Sequence, residues 1–127
     1  MTARKLVLEI VTPDGPALAE EAVDVVVFRR RERRFELGSE IAVFPLHAPM
    51  LVRMPVAPAR YRKGGRTFHV VVGGGFAEVR RDRVLIVTPR CERVLAGEPD
   101  PASSARELGR RWRRELRGLL EEMIGYP

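Results

Sequence analysis

A chain of 127 residues, 45% of them hydrophobic, is long enough for one compact domain with an appendage and can bury a core without covalent staples. Its single cysteine, Cys91, excludes an intramolecular disulfide, and with only two histidines, His47 and His69, there is no CxxC or HxxxH spacing, so no metal or cofactor is expected. The formal net charge of +6, mostly from arginine, suits nucleic acid, anionic lipid or an acidic protein surface without choosing among them.

The amino-terminal stretch MTARKLVLEIVTPDG is apolar for only a few residues before Pro13-Asp14-Gly15 and lacks the continuous apolar region of a secretory signal. No run approaches the roughly 20 apolar residues that span a bilayer. A cytosolic chain is expected, one that meets a membrane only through a partner or a charged surface.

Runs rich in Val and Ile then predict short strands at Lys5 to Val11, Ala22 to Phe28, Glu40 to Phe44, Phe68 to Val72, Phe76 to Val79 and Val84 to Val87. Turn chemistry separates them at Pro13-Asp14-Gly15, Lys63-Gly64-Gly65-Arg66, Gly73-Gly74-Gly75 and Arg81-Asp82-Arg83, spaced as in an antiparallel sandwich or barrel. The Gly64-Gly65 pair supplies the positive φ angles of a tight hairpin, which places Tyr61 and Phe68 on its two arms. Composition changes after Leu95. Pro99 and Pro101 end the strands, and from Ser104 the apolar residues Leu108, Trp112, Leu116, Leu119 and Met123 recur at helical steps. Ser104 and Glu107 form a candidate capping box, Ile124 is the last helical residue and Gly125 the stop. Such a helix, interrupted by Gly109 and Gly118, is stable only if its Leu/Trp face docks on something. The expected organisation is a β body over residues 1–96, a linker over 97–102 and a helix over 103–127.

Candidate chemistry is sparse. Gly73 to Gly75 is not followed by a Lys-Ser/Thr pair or a helix start, so it reads as a turn or bulge rather than a phosphate loop. His47, in FPLHAPML, has no neighbouring nucleophile in a recognisable elbow, and the prolines around it indicate a rigid, extended corner. His69 sits on a strand without a second ligand. Two arginine-rich segments remain: Arg29-Arg30-Arg31-Glu32-Arg33-Arg34, flanked by Phe28 and Phe35, and the helix residues Arg106, Arg110, Arg111, Arg113, Arg114 and Arg117. Neither interleaves its charges with enough aromatic residues to form a stacking platform for single-stranded nucleic acid.

The order of features is more informative than any one of them. LVLEIVTPDG, AVDVVV, EIAVFPLHAPML, YRKGGRTFHVVVGGGFAEVRRDRVLIVTP and a charged terminal helix together resemble the epsilon subunit of F-type rotary ATP synthases. The resemblance spans residues 4 to about 89, and its most specific parts are Pro45-x-His47-Ala48-Pro49-x-Leu51 and Gly74-Gly75-Phe76-x-Glu78-Val79. It implies a flattened antiparallel β-sandwich of about ten strands followed by a single α-helix. It also implies a non-catalytic rotor component that binds the gamma subunit and the membrane c-ring, lying peripherally on the cytoplasmic side of the energy-transducing membrane.

By the same resemblance, the contact residues are Arg33, Arg34, Glu36, Glu40, His47 and Pro49. The helix residues Arg106, Arg110, Arg113, Arg114 and Arg117 are expected to restrain ATP hydrolysis by facing acidic patches of the catalytic alpha/beta ring. The chain departs from the family pattern in three places. RRRERRF is inserted before the proline corner, where Leu46 also replaces the customary small residue. Pro55-Val56-Ala57-Pro58 stands where a Pro-Gly turn is usual. One helix replaces a helical hairpin, and Asp100 through Arg106 does not reproduce the nucleotide-binding pattern, so ATP binding is not expected. The competing expectation from the charge is a small, basic, β-rich nucleic-acid-binding module; direct nucleic-acid contact is not expected of a rotor subunit.

Overall fold

The structure, a computed structural model, describes residues 4–33 and 37–124. In chain order it contains β1 (Leu6–Thr12), β2 (Gly15–Val23), β3 (Val25–Arg29), β4 (Glu40–Val43), β5 (Met50–Lys63), β6 (Arg66–Val79), β7 (Arg83–Val87), β8 (Cys91–Arg93) and α1 (Pro101–Ile124). The strands form one continuous ladder, β2-β1-β7-β6-β5-β3-β4, with β8 added to β6.

Register explains how one ladder makes two layers. The far arm of β6, Phe76 to Val79, pairs with β7, whereas its near arm, Val70 to Val72, pairs with β8. The β5 residues Arg60 to Arg62 pair with β3. The 14-residue strands β5 and β6 therefore belong to both layers, and counting each arm separately gives five segments per layer. The expected ten segments are present as eight described strands, because the two longest cross the corner unbroken. One pair departs from the antiparallel expectation: β1 runs parallel to β7, from Val7 opposite Arg83 to Val11 opposite Val87.

The corner lies at Gly73-Gly74-Gly75, facing Met54 to Val56. Gly74 and Gly75 have φ of +86° and +107°, and a Cβ on Gly75 would sit 2.0 Å from the Val87 carbonyl oxygen. Only glycine fits there. The register skips Pro55, so its missing N–H removes no ladder bond. Pro55 to Pro58, which stand where the family pattern has a Pro-Gly turn, lie inside β5.

Period-two alternation carries Leu6, Leu8, Ile10, Val84, Ile86 and Val79 inward from one layer, and Val26, Phe28, Val43, Tyr61, Val70 and Val72 from the other, into one core. Each such side chain contributes about 1.5–3 kcal/mol when fully buried. At the tip of the hairpin, Gly64 and Gly65 take φ of +58° and +76°, and Tyr61 and Phe68 stack with ring centroids 5.1 Å apart, as their placement on opposite arms requires. Alternation also explains why Val56 and Val71 are buried while pointing away from that core: α1 covers them with Ala105, Leu108 and Trp112.

The helix begins three residues before the expected Ser104. Asp100 accepts a hydrogen bond from the Ser103 N–H at 3.2 Å, Pro101 occupies the first helical position, and Ser104 Oγ donates to Glu98 at 2.7 Å. Asp100, not Ser104, is the cap, because Pro101 needs no N–H partner in the first turn. The expected stop at Gly125 lies outside the described residues.

Candidate interaction site

Two surfaces carry most of the side chains singled out by the sequence, and they meet β4 at its opposite ends. The first is the corner from Phe44 to Pro49, which joins β4 to β5. The Leu46 N–H donates to the Arg81 carbonyl at 2.6 Å, tying this corner to the turn between β6 and β7. His47 donates from Nδ1 to the Ala48 carbonyl at 2.7 Å, a local bond that stiffens the corner. Leu46 holds a left-handed φ of +69°, which costs a non-glycine residue on the order of 1–2 kcal/mol. Around it Phe44, Leu46 and Leu51 remain 58%, 51% and 71% exposed. A strained backbone that displays apolar side chains to water is the signature of a contact surface, not of a core.

The second surface is a cleft of about 590 Å³ between α1 and the outer face of the second layer. Register assigns its floor. Arg60 stands opposite His69, Val27 lies opposite Arg60, and Arg29 opposite Glu40. Arg106, Arg110 and Arg113 form the helical wall. Glu40 accepts from Arg60 at 2.5 Å, and that bond holds its carboxyl below the usual carboxylate range against the opposing effect of burial. Burial lowers the His69 pKa, helped by the charges of Arg60 and Arg106 and opposed by Asp100. Burial also lowers the pKa of Arg113, with Arg110 and Arg29 adding to it, and Arg113 donates to the Val56 carbonyl at 2.8 Å. Beside the cleft, Arg90 lies 4.0 Å over the Trp112 ring and pairs with Glu115 at 3.2 Å, clasping the helix to the sandwich.

The structure divides the sequence-derived contact set. His47 and Pro49 share the corner. Glu40 lies at the other end of the four-residue β4, on the order of 13 Å away, and faces the cleft. Arg33 is exposed on the loop between β3 and β4; Arg34 and Glu36 lie outside the described residues. That loop is fastened by Arg30 N–H to Ser39 O at 2.9 Å, Arg31 N–H to Arg53 O at 2.8 Å and Arg29 to Gly38 O at 3.0 Å. On the helix, Arg106, Arg110 and Arg113 line the cleft, whereas Arg114 and Arg117 face outward with Arg111. Sequence reasoning missed Arg60 and Arg90. The alternation Arg60-Tyr61-Arg62 carried the signal for Arg60, since a buried Tyr61 puts its neighbours on the outer face. Nothing local marked Arg90.

A β-sandwich folded from one ladder, with a terminal helix laid across one layer and an apolar proline corner at the edge, defines a small all-β domain with an appended helix. Residues 5–94 match the ATP synthase delta/epsilon chain β-sandwich domain. The chain belongs to that family. Among similar proteins, the ATP synthase epsilon chain of Syntrophobacter fumaroxidans is 40% identical over 121 residues, spanning 94% of this chain and 84% of that one. The epsilon chain of Geobacter metallireducens is 35% identical, covering 98% and 83%. In fold, the chain resembles a chain of the Euglena gracilis mitochondrial ATP synthase OSCP/F1/c-ring structure, with a TM-score of 0.65 and 19% identity over 94% of this chain and 84% of that one. A chain of the Tetrahymena thermophila central stalk and c-ring gives 0.58 and 12%, covering 91% and 93%. Family and relatives together place the chain among the ATP synthase epsilon chains. Among the described residues no helix is long and apolar enough to cross a membrane.

Proposed function

We propose that the chain is a non-catalytic rotor subunit that joins gamma to the c-ring during ion-gradient-driven ATP synthesis, held peripherally on the cytoplasmic side of the membrane by the complex. The observation that carries this reading is the corner, where Phe44, Leu46 and Leu51 are exposed on a backbone fixed by the Leu46–Arg81 hydrogen bond. Three large apolar side chains on a rigid frame suit a permanent protein interface, which buries aromatic and aliphatic anchors at its centre. His47 and Pro49 shape this corner. Arg33, Arg34 and Glu36, on the inserted loop, are assigned to the neighbouring c-ring contact. Glu40 supports the loop from the cleft side through Arg60.

The test is affinity purification of the tagged chain from its native cells. Wild-type protein is expected to carry gamma and c-ring in fixed ratio, and the double variant Leu46→Asp/Leu51→Asp is expected to lose at least about tenfold of the bound gamma, a cost of roughly 1.4 kcal/mol or more. Both positions are exposed, so the variant retains its fold; undiminished gamma would exclude the corner as the contact. Reversing the charges of Arg31 and Arg33 tests the loop separately through c-ring retention. The arginine-rich helix is assigned a restraint on ATP hydrolysis through acidic patches of the catalytic ring. Removing residues 101–127 from the assembled enzyme should raise the hydrolysis rate, and an unchanged rate would remove this role.

A further inference from the structure

The docked helix closes over an outer sheet face on which positive charge outweighs negative. His69 is set into that face. Opposite it on β5 is Arg60, neutralised by Glu40 of β4; Arg29 of β3 lies beyond, and α1 brings Arg106, Arg110 and Arg113 over the same cleft. Two other acids stand near: Asp100, which caps the helix, and Glu92 of β8, whose register with Val71 puts it on the same outer face. The His69 carbonyl accepts from the Val94 N–H at 2.9 Å, which holds its backbone, and none of the hydrogen bonds or ion pairs described for the cleft engages its ring. His69 is half-buried, and a further cation at this point would stand in the cleft among arginines that already crowd one another.

We propose that His69 is an acid sensor for helix docking: its protonation drives α1 away from the sandwich, so that the helix is released as pH falls. This is a property of the chain's own fold and stands apart from the rotor assignment. The direction follows from linkage. Burial and the Arg60 charge lower the His69 pKa below the ordinary value of 6.5, and Arg106 of α1 adds to this against Asp100. Arg60 stays with the sandwich, so release of α1 restores only the share due to burial by the helix and to Arg106, and the released state binds more protons. The contribution to docking is complete above that ordinary value and is lost as pH falls through the lowered one. Among the groups lining the cleft, His69 is the one whose ordinary pKa lies near neutrality.

The molecule contains its own reporter. Trp112 is the single tryptophan, buried under Arg90 at the interface between helix and sandwich, so release of α1 exposes it to solvent. Using the full chain, Trp112 emission and acrylamide quenching are followed from pH 8 to 5.5, with far-ultraviolet circular dichroism and Tyr61/Phe68 absorbance reporting on the sandwich. Expected is a red shift and a rise in quenching, with the docking equilibrium moving by up to about tenfold toward release while the sandwich signals stay constant. His69→Gln should abolish this pH dependence and keep Trp112 protected at pH 5.5, whereas His47→Gln at the distant corner should leave it intact. His69→Lys, which carries the charge permanently, should expose Trp112 at pH 8. The proposal is overturned if His69→Gln titrates like wild type, which would assign the effect to carboxylates such as Asp100. It is equally overturned if wild-type Trp112 stays protected throughout or if the sandwich signals move together with it.

Discussion

The two halves of α1 follow one amphipathic pattern and meet different fates. In the first half, Ala105, Gly109 and Trp112 are buried against Val56, Pro58 and Val71, and Arg113 reaches a strand carbonyl. In the second, Leu119 and Met123 stand at the same helical phase but remain 54% and 74% exposed. The sheet ends beneath the helix before the helix ends. An apolar stripe therefore states that a face requires a partner, and the extent of the sheet decides how much of that partner is internal.

Trp112→Ala should have the largest effect on this division. Emptying the centre of the docked half is expected to cost about 3–5 kcal/mol of docking, read as early loss of helical signal in denaturation and as proteolysis within α1. The two glycines give opposite expectations. A Cβ at Gly109 would meet both Pro58 Cδ and Arg113 Nη1 at 3.3 Å, so Gly109→Val should destabilise docking by about 1–3 kcal/mol. Gly118 has nothing within 4 Å of such a Cβ, and Gly118→Ala should stabilise the helix by up to about 1 kcal/mol. If both substitutions moved stability the same way, the halves would not differ as described. The smallest effect is expected from Leu119→Gln, within about 0.5 kcal/mol in the free chain, because no internal contact is lost. The same change should weaken retention in the assembled complex if the outer half is covered there, as pull-down of the variant would show.

Much of the sandwich was legible locally. β1, β3, β4 and β7 follow from Val/Ile alternation, and the Gly64-Gly65 hairpin from its turn residues. β5 was not legible as one strand, because Pro55 and Pro58 speak against a strand interior. Its tolerance of them depends on the glycine corner of β6 and on α1 packing from outside, neither of which is near it in sequence. β2 was missed except for its last two residues, which the expected strand Ala22 to Phe28 ran together with β3, and β8 was missed because three residues carry no period of their own. At the candidate site, the corner was read from its prolines, while the cleft around His69 was invisible: it joins β3, β4, β5, β6 and α1 by register.

Sequence alone determined the class of elements, the hairpin, the terminal helix and the family motif, since each rests on residues within a few positions of one another. Only tertiary structure decided that Glu40 belongs with Arg60 and the helix rather than with His47, that Leu46 adopts a left-handed conformation to display its side chain, and that half of α1 is docked. These depend on strand register and on the desolvation imposed by packing, which arise between segments far apart in the chain. His69 therefore meets the helix arginines only through the cleft that packing creates.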